Sequence, residues 1–164
     1  MILLSKIALL LQKIFWDIIY SGYTAKYGLP KDFKFNGVGT VIKGNGRLIV
    51  GNNTYLGRNS YLQLKEGTTL HIGSKVSISH NVYIYTSNKV ADQDLSQQQL
   101  VKNAEDVTIQ DNVWIGAFVF IKEGVTIGEN TVIGAHSVVN RNIPENCIAA
   151  GNPCKVIKKK SEAS

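Results

Sequence analysis

The sequence offers almost nothing with which to hold a metal ion or a disulfide framework. It has two cysteines, Cys147 and Cys154, and no CxxC pair, so neither a zinc site nor a disulfide scaffold is indicated. A reducing, cytoplasmic setting is the default. Histidines number three, which leaves few candidates for a proton acceptor near neutrality. Apolar runs long enough to span a bilayer are also lacking. Lys6, Lys13 and Asp17 break up residues 1–20, which makes that stretch a poor spanning helix. It lacks the basic start and small-residue cleavage site of a signal peptide as well. Charge is unbalanced, with 18 Lys and Arg against 12 Asp and Glu, and that excess suits an anionic partner. Much of it sits at Lys6, Lys13, Lys155, Lys158, Lys159 and Lys160, with no basic stripe interleaved with aromatics, which argues against nucleic acid.

At 164 residues the chain holds one domain of ordinary size. Its first 20 residues read as an amphipathic helix. At about 100° per residue, Ser5, Lys6, Gln12, Lys13 and Asp17 fall within an arc of roughly 140°, and the remainder is dominated by Ile, Leu, Phe and Trp. Two uses stay open for it. It packs on its own domain or a neighbouring subunit, or it lies in a membrane interface with Trp16 and Tyr20 at headgroup level. Residues 1–30 are assigned to this helix and a connector, 31–159 to the main domain and 160–164 to a tail.

From residue 48 onward the sequence repeats in sixes. Aliphatic residues recur at Val50, Leu56 and Leu62, then at Ile72, Ile78 and Ile84, then from Ile109 through Ile115, Ile121, Ile127 and Ile133 to Val139. Two positions before each stands a β-branched or small residue, or Leu. Residues two apart on a strand face the same way, so each six supplies two inward side chains and one outward between them. Gly follows the aliphatic at 51, 57, 73, 116, 128 and 134, and Asn stands three after it at 53, 59, 81, 112, 130 and 142. Both types tolerate φ > 0 and are expected at sharp corners. No 3.6-residue helix holds one residue class in register every six. Three such strands close a coil of about 18 residues that buries its aliphatics on the coil below. The fold class is therefore all-β, a parallel β-helix. Two segments break the period: residues 65–69, a small bulge, and residues 86–106, a long polar loop of the kind that usually carries function.

The stretch VTIQDNVWIGAFVFIKEGVTIGENTVIGAHSVV, followed by IPENCIAAGNPCKVIK, closely resembles the hexapeptide acyltransferases, in the branch of maltose, galactoside and polysaccharide O-acetyltransferases. The resemblance covers roughly residues 37–159. It implies a left-handed β-helix, an exception to the usual right-handed crossover, and a homotrimer with active sites between prisms. It further implies direct transfer from acetyl-CoA without a metal. Matching motifs carry CoA contacts to Trp114, Ala117, Ala135 and Asn140, and phosphate contacts to Lys155 and Lys158. Trp114 points outward and can wall a groove; Ala117 and Ala135 are small corner residues beside which an extended chain can lie. The two lysines offer ammonium groups to phosphates. Trimer packing for Trp114, and a solvated tail for the lysines, are the plainer alternatives. On the acceptor side the resemblance points to Tyr61 and Gln63, both able to hydrogen-bond hydroxyls.

Acetyl transfer to a hydroxyl needs a base for the proton and donors for the developing oxyanion. The branch places a histidine where the long loop leaves the coil, and Lys89 stands there in this chain. His80 is the first replacement, at an outward corner just below the loop. His71 is a second, expected to stack one coil beneath Lys89. His136, beside Ala135, and Lys89 itself as a desolvated amine complete the set. The leading function is transfer to a sugar hydroxyl in envelope polysaccharide, capsule or O-antigen synthesis. The acceptor is then a lipid-linked or nucleotide sugar, at or near the inner face of the cytoplasmic membrane. An N-acetyltransferase on an amino-sugar nucleotide is the second reading, since an amine needs less help from a base. A catalytically inactive trimeric scaffold is the third.

Overall fold

A computed structural model describes residues 2–161. Met1 of the helical segment and residues 162–164 of the tail lie outside the described residues. The repeating sixes form five coils of a triangular prism with parallel strands on three faces. Face A runs from Lys34–Asn36 through Tyr55–Gly57, Ser77–Ile78, Trp114–Ile115 and Val132–Ile133 to Cys147–Ala150, closed by the antiparallel strand Lys155–Lys159. Face B stacks Val41–Gly44, Tyr61–Leu64, Tyr83–Tyr85, Phe120–Ile121 and Val138–Val139; face C stacks Arg47–Val50, Thr69–Ile72, Val107–Ile109 and Thr126–Ile127.

The repeat sets the register. Leu56 pairs with Ile78, Ile78 with Ile115 and Ile115 with Ile133, and each of these side chains is at most 1% exposed. The intervening residues point out, as the six-residue spacing requires. The expected corners hold for Asn53, Asn59, Asn81, Asn112 and Asn130, all with φ between 54° and 59°. Asn142 departs from that pattern: its Oδ1 accepts the Thr126 N–H at 2.8 Å. The repeat glycines depart too. Gly51, Gly57, Gly73, Gly116, Gly128 and Gly134 do not take positive φ. Backbone approach explains them instead, since a Cβ on Gly116 would lie 2.6 Å from the Ala135 nitrogen in the next coil.

The N-terminal helix, Ile2–Tyr27, caps the first coil with its last turns. Tyr20 stacks on Phe35 at 4.1 Å and its hydroxyl donates to the Gly37 carbonyl at 3.0 Å. The Ile42 N–H donates to the Tyr23 hydroxyl. The partly buried Trp16, Tyr20, Tyr23 and Tyr27 form one side of the helix. On the opposite side Leu4, Ile7, Leu11, Ile14 and Ile18 stay between 45% and 71% exposed.

Residues 86–106 leave the prism between faces B and C. The excursion is not wholly irregular, because Ser87–Lys89 pairs antiparallel with Lys102–Ala104. This pairing overturns the expected stack of Lys89 on His71. Lys89 lies opposite Lys102 in the hairpin, whereas His71 is sandwiched between Ile49 and Thr108 on face C. The coil resumes only at Val107, so an 18-residue offset no longer means one coil.

Candidate active site

Face A and the edge it shares with face B gather five of the six expected cofactor contacts. Trp114 is 54% exposed and begins an outward row that continues through Val132 and Ile148 to Lys158. Two residues along, Gly116 and Gly134 lead into the corner held by Ala117 and Ala135. The Gly134 N–H donates to Ala149, and Ala150 pairs with Lys155, which brings Lys155 to the head of this edge. An aromatic wall, a floor of small residues and two ammonium groups at one end suit a long ligand bearing phosphates. Asn140 is not among them. It lies beyond Val138–Val139 at the far side of face B, next to the position of Lys122.

Face B carries an aromatic outer surface. Tyr61 lies 6.5 Å from Tyr83 and 5.9 Å from Tyr85, and Tyr85 meets Phe120 at 5.2 Å. Burial, and then the neighbouring Tyr61 and Tyr83 hydroxyls, push the Tyr85 phenol above its usual range. It stays a neutral hydrogen-bond donor at every physiological pH. Tyr61 and Gln63 line a cleft of about 320 Å³ with Lys43, Asn45, Lys65 and Glu66. Amide, hydroxyl and charged groups together form a surface able to bind hydroxyls.

The four candidate bases separate clearly. His80 is half-buried on the edge between faces A and B, directly below Ala117, with its ring edge-on to Phe118 at 5.5 Å. The next residue, Asn81, takes the left-handed conformation with φ 56°. His80 lines a cleft of about 480 Å³ with Asn36, Tyr55, Arg58 and Ser79. His136 is exposed two coils above and stacks on Phe118 at 4.9 Å. His71 is exposed on face C, away from the other candidates. Lys89 is exposed in the hairpin. The structure thus brings His80 and His136 to the Ala117 and Ala135 edge, and leaves His71 and Lys89 off it.

Glu123 carries no signal in the six-residue repeat. Its side chain is 1% exposed. The Asn88 amide donates to Oε2, and the Lys122 ammonium stands 3.1 Å from Oε1 without hydrogen-bond alignment. The contact ties the foot of the excursion to the coil above it. A lone glutamate in KEGV carries no motif, and only the stacking of coils exposes its role. Among the described residues no group of three His, Cys, Asp or Glu is placed to hold a metal. Nor is any helix among them long and apolar enough to cross a membrane.

The sequence model of the bacterial transferase hexapeptide (six repeats) matches residues 106–141, and that of the hexapeptide repeat of succinyl-transferase matches residues 47–86. The galactoside O-acetyltransferase of Escherichia coli is 42% identical over 116 residues, covering 66% of this chain and 55% of that protein. A maltose O-acetyltransferase structure from Clostridium difficile is 33% identical, with TM-score 0.59, covering 80% of this chain and 72% of that one. A hexapeptide-repeat acetyltransferase of Vibrio cholerae, solved with acetyl-CoA, superposes with TM-score 0.65 at 26% identity, with the same coverage. The chain spans a little over half the length of the curated relatives it matches first.

Proposed function

This chain belongs to the hexapeptide-repeat acyltransferase family, and on that premise we propose that it moves an acetyl group from acetyl-CoA to a sugar hydroxyl. The observation that carries the reading is the edge on which Trp114, Ala117, Ala135, Lys155 and Lys158 converge. Acetyl-CoA supplies an activated thioester. Lys155 and Lys158 hold its phosphates at one end, and Trp114 with the two alanines guides its extended arm toward the coil of His80. Tyr61 and Gln63 orient the acceptor. His80 accepts the hydroxyl proton as the acceptor oxygen attacks the thioester carbon, and returns it to the departing sulfur.

The two halves of this site lie on different faces of one prism, and so does Asn140. A homotrimer, in which the edge of one prism meets face B of the next, completes it. The acceptor we favour is a sugar of an envelope polysaccharide in lipid-linked or nucleotide form. The apolar side of the N-terminal helix then holds the enzyme against the inner face of the cytoplasmic membrane.

The test of the base is His80→Ala. We expect turnover to fall by about 10²-fold or more with acetyl-CoA affinity nearly unchanged, because general-base catalysis is typically worth 10²–10⁴. Near-normal turnover in that variant, beside a collapse in His71→Ala or Lys89→Ala, would sink the assignment. The absence of a histidine at position 89 favours a second reading, transfer to the amine of an amino-sugar nucleotide. A scaffold that has lost chemistry would have no reason to bind acetyl-CoA, and calorimetric titration separates it from both enzymes.

A further inference from the structure

Among the described residues, nine non-glycine residues adopt the left-handed conformation, and six of them are asparagines. Asparagine is thus the repeat's own solution to this corner, as its short polar side chain predicts. Phe118 and His136 break the rule in consecutive coils, with φ of 58° and 59°. The Phe118 ring in this region is a true outlier, whereas histidine is among the residue types enriched there, and such strain persists only where the surroundings or function hold it. The rings are parallel within 6° at 4.9 Å, close to the spacing of neighbouring strands, about 4.8 Å. Phe118 is nevertheless 48% exposed, so the chain's own core does not account for its ring.

The pair stands beside Ala117 and Ala135, the small floor of the edge described above, with the His80 ring against Phe118 at its lower end. We propose that Phe118 and His136 form the apolar wall of the acetyl-CoA groove, and that the repeat tolerates the strained corner at Phe118 for that purpose. The inference rests on the acetyl-CoA reading and assigns the wall to the pantetheine arm. That arm is an extended chain with apolar carbon segments. Along this edge it has its phosphates at Lys155 and Lys158 and its thioester toward His80. An aromatic strip two coils tall covers carbon that Ala117 and Ala135, each with one methyl, leave bare.

The experiment restores asparagine. Phe118→Asn, His136→Asn and, as a control at a corner remote from the groove, Lys75→Asn (φ 57°) are compared with the wild-type chain. Melting is followed by calorimetry without ligand, acetyl-CoA affinity by titration calorimetry, and assembly by sedimentation at the same concentration. We expect Phe118→Asn and Lys75→Asn to melt about 2–4 °C higher, through relief of the left-handed cost, and His136→Asn to gain less. Phe118→Asn should weaken acetyl-CoA about tenfold or more, His136→Asn less, and Lys75→Asn not at all. A wild-type affinity in Phe118→Asn overturns the wall while the acetyl-CoA reading stands. Wild-type protein that does not bind acetyl-CoA overturns that reading, and the wall with it. A smaller assembly in Phe118→Asn, with binding lost in proportion, also overturns the wall and assigns the ring to subunit packing.

Discussion

At the scale of residues, Trp114 and Ile115 show how the repeat divides labour. They are adjacent on one short strand, yet Ile115 is fully buried and Trp114 is 54% exposed. Removing each should therefore report on a different property. Ile115→Ala leaves a cavity between coils and should cost about 2–5 kcal/mol of stability by urea unfolding. Trp114→Ala should change unfolding by less than about 1 kcal/mol while sharply weakening acetyl-CoA in titration calorimetry. The reverse pattern would place Trp114 in structural packing instead of the groove. This division was legible beforehand, because alternation within a six fixes which side chain points in. The strain at Phe118 and His136 was not, since backbone conformation at a corner follows from the coil and not from residue type. Glu123 was hidden for a similar reason. Its partner Asn88 lies 35 residues away, across an insertion that obscures the stacking.

At the scale of elements, the N-terminal helix joins two readings that the sequence had set apart. Its last turns pack on the first coil through Tyr20 and Tyr23, and its first four turns leave an apolar side uncovered. Amphipathicity alone showed that a polar arc exists. Which turns meet the domain depends on Phe35 and the Gly37 carbonyl, whose position only the folded coil supplies. Any deletion must therefore stop short of Trp16, which leans on Tyr20 at 5.4 Å. Lacking residues 1–15, the protein should remain folded with an unchanged sedimentation coefficient per protomer mass, and should no longer float with anionic liposomes. Flotation that persists, or unfolding of the truncated chain, would contradict the membrane role. The excursion shows a similar limit of sequence. Its position and polarity were readable, but the hairpin of Ser87–Lys89 with Lys102–Ala104 carries no alternating pattern. That hairpin is what removes Lys89 from the column of His71.

At the scale of the whole molecule, one prism carries Trp114 on face A and Tyr61 and Gln63 on face B, the residues that the proposed function assigns to cofactor and acceptor. The fold itself was almost fully written in the sixes, because each coil is held by its neighbours and a local period propagates into a global shape. The site was legible only in part. Matching motifs named residues, while their grouping on the edge of face A followed from strand pairing, and it is the proposed assembly that would complete the site. The central claim is therefore best tested on the intact protein by chemistry. Purified chain is incubated with acetyl-CoA and a panel of simple, lipid-linked and nucleotide sugars, and products are followed by mass spectrometry together with free thiol release. The account predicts one acetyl group gained per thiol released, on a sugar acceptor, in a linkage that mild hydroxide cleaves as an ester. Thiol release no faster than in buffer with every acceptor, or an acetyl product that resists hydroxide as an amide does, would contradict it.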